Sequence, residues 1–119
     1  MARPPKLLLT GPPGCGKTTA VLRALDRMAR PAAGFYTEEV RAGGVRVGFD
    51  VVALDGARAP LARVGVRGPR VGRYGVDVAS FERVACAAVA EGLRRPGTLI
   101  VVDEIGRMEL LSEVFTALC

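Results

Sequence analysis

The sequence predicts an α/β fold in which a mainly parallel sheet is flanked by helices and carries an antiparallel hairpin insertion. Three observations predict it. A short apolar run, Lys6–Thr10, leads into Gly11-Pro12-Pro13-Gly14-Cys15-Gly16 and then into an amphipathic segment. A second apolar run, Leu99–Val102, ends in two carboxylates. Between them lie Val-, Phe- and Tyr-rich segments separated by glycine-containing turns, the pattern of paired antiparallel strands.

Taken in order, Lys6–Thr10 reads as a buried parallel strand. The segment from Lys17 to about Ala29 reads as a helix, with Ala20, Val21, Ala24, Leu25 and Met28 on one face at three- and four-residue spacing. Pro31 stops it. Gly34–Val40 and Val45–Leu54 read as strands joined by a turn at Gly43-Gly44, and Asp55-Gly56 turns the chain into a short strand at Ala59–Arg63. Gly65–Gly75 reads as a loop, because Gly68-Pro69 breaks any regular element. A second helix runs from Val78 or Ala79 to about Arg94, capped by Asp77 or Ser80. Its apolar side is Phe81, Val84, Ala85, Ala88 and Leu93, and Pro96-Gly97 ends it. After the Leu99–Val102 strand, Ser112–Cys119 reads as the opening of a third helix.

The chain's 119 residues leave room for one domain, spanning 1–119. No apolar run approaches bilayer length, and three leucines after Lys6 are too few for a secretory signal, so no membrane partner and an intracellular, cytoplasmic setting are expected. Histidine is absent, which excludes His-ligated metals, Ser-His-Asp triads and imidazole proton shuttles. Cys15, Cys86 and Cys119 form neither a CxxC pair nor an even disulfide set, in keeping with a reducing compartment. The net charge is +5, and Arg58, Arg63, Arg67, Arg70 and Arg73 fall in a stretch without acids. Aromatics for base stacking are almost absent there, so a solvated arginine-rich loop is expected and nucleic acid is disfavoured as a partner.

The strongest signal is Gly11-Pro12-Pro13-Gly14-Cys15-Gly16-Lys17-Thr18, a full match to G-x-x-x-x-G-K-[ST]. Glycine backbones turn successive N–H groups inward to make a concave nest for phosphate oxygens. The helix starting near Lys17 adds its positive end. The Lys17 ammonium suits β- and γ-phosphates, and the Thr18 hydroxyl suits magnesium. Cys15 occupies a variable position and is expected to be a tolerated small residue. In the second signal, Asp103 emerges at a strand's carboxyl end, where α/β sheets bind ligands, and is placed to hold Mg2+ through water. Glu104 is then placed to orient or deprotonate an attacking water. Weaker candidates, each balanced against a surface salt link, are Glu38, Glu39, Arg107 and Glu109. Arg73 is a candidate arginine finger, though no spacing brings it to the γ-phosphate.

Longer phrases, Gly34–Arg41, Gly48–Val52 and Asp103–Leu110, resemble the THEP1-type nucleoside-triphosphatases, in the family's order and over residues 1 to about 118. The resemblance implies a RecA-like P-loop NTPase fold and magnesium-dependent hydrolysis of ATP, GTP and other nucleoside triphosphates. It places nucleotide binding at Gly11, Pro12, Pro13, Gly14, Cys15, Gly16, Lys17, Thr18 and Thr19 and at Ile105, Gly106 and Arg107. It puts catalysis at Glu104 and Lys17, and metal binding at Thr18 and Asp103. Members of that family continue past the position of Cys119 and insert a further strand between the Asp-Glu strand and the phosphate-loop strand. The expectation is therefore a chain lacking its C-terminal strands, which folds poorly alone as a monomer unless a partner or a swapped dimer repairs the sheet. Two alternatives stay open: a nucleotide-binding protein without turnover, and a small phosphate-loop nucleoside or nucleotide kinase.

Overall fold

A computed structural model describes residues 16–28, 30–103, 108 and 111–118. Its elements are α1 (Lys17–Arg27), β1 (Ala32–Ala42), β2 (Val45–Ala53), β3 (Arg58–Val64), β4 (Arg70–Val71) and β5 (Tyr74–Val76), then α2 (Val78–Phe81), a π-helical turn (Glu82–Cys86), α3 (Ala87–Leu93), β6 (Leu99–Val102) and α4 (Glu113–Leu118). The expected strand Lys6–Thr10 lies outside the described residues.

The six strands form one mixed sheet in the order β4-β5-β3-β2-β1-β6. β1 lies parallel to β6, with Ala32 opposite Leu99 and Phe35 opposite Val102. Every other pairing is antiparallel. The antiparallel insertion expected as one hairpin and a short strand is thus most of the described sheet. It also takes in part of the segment expected to be loop. Gly72, at φ +58°, turns β4 into β5, and Val76 is buried where β5 meets Ala62 of β3. A Cβ on Gly75 would lie 1.9 Å from the Val66 carbonyl oxygen, so the chain can close against itself here only with glycine.

One face of the sheet is covered by the continuous helical stretch α2–π turn–α3. Asp77 caps it as expected: its Oδ1 accepts the Ser80 N–H at 3.0 Å and its Oδ2 accepts the Ser80 hydroxyl at 2.8 Å. The π turn changes which residues face inward. Phe81, Val84 and Ala85 are buried as expected, but the next buried positions are Cys86, Val89 and Gly92, while Leu93 is 57% exposed. The wider turn takes up an extra residue and rotates everything after it away from a uniform helical register. Gly92 meets the sheet closely, since a Cβ there would stand 2.5 Å from Ile100 Cδ1 and 2.7 Å from Ala33 Cβ.

The core joins Phe35, Val51, Ala59, Leu61 and Val76 of the sheet to Phe81, Val84, Ala85 and Val89 of the helical layer and Phe115 of α4. Three rings form its centre: Phe35 packs edge-to-face on Phe81 (5.5 Å between centroids) and on Phe115 (5.7 Å), and Phe81 on Phe115 (5.2 Å).

α1 buries none of its residues. The face turned toward the protein differs from the one expected. Lys17, Thr18, Val21, Leu22 and Leu25 are half-buried, whereas Ala20, Ala24 and Met28 are exposed. At its first turn Thr18 reaches the end of β6, where its hydroxyl meets Asp103.

Candidate functional site

The site is built where α1 starts and β6 ends. Gly16 takes φ +94°, a left-handed conformation that L side chains rarely adopt, and its carbonyl accepts the Ala20 N–H at 2.9 Å. Among the described residues no side chain caps the helix, which leaves the positive character of its N-terminal end unoffset by them. Lys17 and Val21 line a groove with Leu99, Ile100, Val101, Val102 and Asp103.

One contact closes the site. The Thr18 hydroxyl donates to Asp103 Oδ2 at 2.8 Å, across 85 residues of sequence. The same oxygen lies 3.5 Å from the Thr37 backbone nitrogen. Asp103 is itself anchored, because its N–H donates to the Phe35 carbonyl at 3.2 Å and extends the β1–β6 ladder by one bond. β1 runs on beyond the end of β6, so Thr37 stands beside the carboxylate. Residue type could not have disclosed Thr37, because its contribution is a main-chain N–H set by strand register.

Of the residues singled out in the sequence, Lys17, Thr18 and Asp103 come together as expected, and Thr19 sits next to them, exposed on the first turn of α1. Gly11–Cys15, Glu104–Arg107 and Glu109 lie outside the described residues. The remaining candidates belong elsewhere. Glu39 pairs with Arg41 at 3.1 Å and with Arg46, and Glu38 pairs with Arg58 at 3.2 Å, so both make surface salt links. Arg73 stacks on the Tyr74 ring, 5.3 Å from its centroid, and donates to the Arg46 carbonyl. Between β5 and β6 stand β3, β2 and β1, which sets Arg73 apart from Lys17 and Asp103 of the same chain.

An ionic row on the antiparallel strands escaped the sequence reading. Asp50 accepts Arg63 Nη2 at 2.6 Å and Arg58 Nε at 2.9 Å, and Arg58 continues to Glu38. Burial alone would push the Asp50 carboxyl up, but the hydrogen bonds and charges of Arg63 and Arg58 outweigh it and hold the group below its usual range. The alternation of acids and arginines on neighbouring strands was visible in the sequence, but only the register shows which of them meet.

A helix opened by Gly-Lys-Thr, with its hydroxyl bonded to an acid at the end of a parallel strand, marks a P-loop α/β protein. The chain belongs to the NTPase family, whose profile it matches over residues 6–119. It is 50% identical to the human cancer-related nucleoside-triphosphatase over 121 residues, covering 92% of this chain and 64% of that protein. It is 48% identical to nucleoside-triphosphatase THEP1 of Thermotoga petrophila over 111 residues, covering 92% of this chain and 61% of that protein. The crystal structure of THEP1 from Aquifex aeolicus superposes with a TM-score of 0.79 at 37% identity, over 89% of this chain and 62% of that one. The chain thus spans somewhat less than two thirds of the length of these relatives. Among the described residues no helix is long and apolar enough to cross a membrane.

Proposed function

We propose that this protein hydrolyses nucleoside triphosphates, ATP and GTP among them, to the diphosphate and phosphate, with Mg2+ as cofactor. The bond between Thr18 and Asp103 carries the reading, because it unites the phosphate loop's hydroxyl with the strand-end acid in the arrangement magnesium–triphosphate chemistry uses. The donor set fits the ion: a hydroxyl and a carboxylate are hard oxygen donors, and magnesium keeps several waters and phosphate oxygens alongside one or two protein groups. Thr18 would hold it directly and Asp103 through water. When bound, the ion offsets negative charge developing on the β- and γ-phosphate oxygens.

The residues then divide the work. Backbone N–H groups of Gly14–Lys17 and the start of α1 cradle the phosphates, and the Lys17 ammonium stabilises charge on the transferring group. Glu104, directly after Asp103, takes a proton from water as its oxygen attacks the γ-phosphorus and the bond to the β-phosphate oxygen breaks. Thr19 and Ile105–Arg107 contact the nucleotide.

The test is phosphate release from ATP and from GTP with Mg2+, by the wild type and by Lys17→Ala. Release that requires the metal and disappears in Lys17→Ala is expected. Analogue binding without release, or release that needs an added hydroxyl acceptor, would replace this reading with a non-catalytic binder or a kinase.

A further inference from the structure

At one corner of the antiparallel wall, the end of β3, the turn between β4 and β5 and the start of β2 come together. Val64 pairs with Tyr74, and Val66 closes on Gly75, where a Cβ would stand 1.9 Å from the Val66 carbonyl oxygen. The Val76 N–H donates to the Pro69 carbonyl at 2.8 Å, so the 65–69 loop folds back on β5. Arg73 reaches across to β2 and donates to the Arg46 carbonyl at 3.0 Å. These contacts gather Val45, Val64 and Val66 into one neighbourhood with Arg67, Arg70 and Arg73.

The three valines are 58%, 45% and 42% exposed. The three arginines are exposed as well, and among the described residues they enter no ion pair, whereas Arg58 and Arg63 are tied to Glu38 and Asp50. Residues 56–76 carry no acid. Glu39, the carboxylate that the described contacts bring to this corner, is shared by Arg41 and Arg46. Bare aliphatic surface therefore sits beside positive charge that the described residues leave uncompensated.

Two kinds of partner carry the complementary charge. A nucleic-acid strand needs ring faces on which to stack its bases. Tyr74 and Phe49 are half-buried, and each already has an arginine over it: Arg73 lies 5.3 Å from the Tyr74 centroid and Arg46 5.4 Å from the Phe49 centroid. Aliphatic chains standing among cations suit a different surface, the boundary where lipid phosphates meet hydrocarbon. The expectation of no membrane partner came from the lack of a spanning run, which bears on crossing a bilayer and not on lying against one.

We propose that this corner docks on a bilayer containing anionic phospholipid, with the arginines at the lipid phosphates and the valines in the headgroup boundary. Each arginine adds an attraction that salt screens, and each valine adds apolar area withdrawn from water. The sheet order leaves the nucleotide groove free: β3, β2 and β1 stand between β5 and β6, so Lys17 and Asp103 lie toward the opposite edge. The docking surface does not depend on the hydrolase reading.

The experiment is co-sedimentation with vesicles of phosphatidylcholine alone and of phosphatidylcholine with about 30% phosphatidylserine. It compares wild type, Arg67→Gln with Arg70→Gln, Val45→Ser with Val64→Ser and Val66→Ser, and Lys17→Ala. Wild type should bind the anionic vesicles at least about 30-fold more strongly than the neutral ones, and should be released as salt rises from about 0.1 to about 0.5 M. The arginine variant should lose roughly 10–30-fold and the valine variant about tenfold. Both should keep the wild-type urea midpoint, since neither alters a fully buried side chain. Lys17→Ala should bind vesicles like wild type, which separates this surface from the phosphate loop. Equal binding to both vesicles, no binding to either, or binding that the arginine variant retains would overturn the proposal. So would tighter binding of an oligothymidylate of about twenty nucleotides that the same arginine variant loses, because it would assign the corner to nucleic acid.

Discussion

The antiparallel wall and the phosphate end of this molecule are held together in opposite ways. In the wall, β1, β2 and β3 pair along nearly their whole lengths, their inner faces enter a core of three interlocking phenylalanines, and Asp50, Arg58, Arg63 and Glu38 tie the strands across. At the phosphate end, α1 has five half-buried residues and none fully buried, and a single described side-chain bond, Thr18 to Asp103, links it to the sheet. α1 keeps Lys17 and Thr18 half-exposed at its first turn, while the fully buried apolar side chains lie in the wall and the layers packed on it. Stability and chemistry are therefore lodged in different places, and substitutions should separate them.

The largest effect is expected at the seam between the two. Gly34 has φ +125°, and a Cβ there would lie 1.9 Å from the Val101 carbonyl oxygen, inside the β1–β6 ladder. Gly34→Ala must part the strands or strain both, and should cost about 3 kcal/mol or more in urea unfolding, along with hydrolysis. Next comes the wall's own core: Phe35→Ala removes a fully buried ring that contacts two others, and should cost about 3–5 kcal/mol by the same measurement. Lys17→Ala sharpens the contrast from the other side. It should leave unfolding free energy within about 0.5 kcal/mol of wild type while lowering phosphate release by about 100-fold or more. If Lys17→Ala unfolds the protein instead, the division of labour described here is wrong.

Smaller effects are expected from the wall's carboxylates. Asp50→Asn weakens two bonds from arginine and should cost about 1–2 kcal/mol without altering the Kd for nucleotide. Asp77 is held below the usual carboxylate range chiefly by the Ser80 N–H, then by the Ser80 hydroxyl. A group with a depressed folded pKa stabilises fully above its unfolded value, near pH 4, and loses that contribution as pH falls through the folded one. The urea midpoint should therefore decline below about pH 4, and Asp77→Asn should have a lower midpoint at neutral pH and a shallower decline.

What could be read from the chain follows the same division. The meeting of Lys17, Thr18 and Asp103 was legible because each has a local reason: a glycine, Gly16, that bends the backbone, a lysine and a threonine at the start of a helix, an acid after four apolar residues. β6 appeared at its full extent, and β1–β3 to within two residues, because turns at Gly43-Gly44 and Asp55-Gly56 bound them. The failures lay where a tertiary contact overrides a local pattern. Alternation could not show that β4 and β5 would pair across Gly72, nor that Lys17, Thr18 and Leu22 would be half-buried on α1 while Ala20, Ala24 and Met28 are exposed. The α-helical spacing that assigned Leu93 to the interior takes no account of a π turn. A bond from the Ser112 hydroxyl to Glu82 spans thirty residues and involves two side chains with no distinguishing local context.

The π turn has a consequence for how this gene can change. A π turn fits about one residue more than an α turn into the same span, so losing one residue between Glu82 and Cys86 would restore ordinary winding and leave the rest of the helix near its present place, whereas a further added residue would turn it by about 100°. In that case Gly92 would leave its notch against Ala33 and Ile100, and a bulkier neighbour would be driven into the gap. Substitutions can drift along this stretch, and its length can shrink by one codon more readily than it can grow.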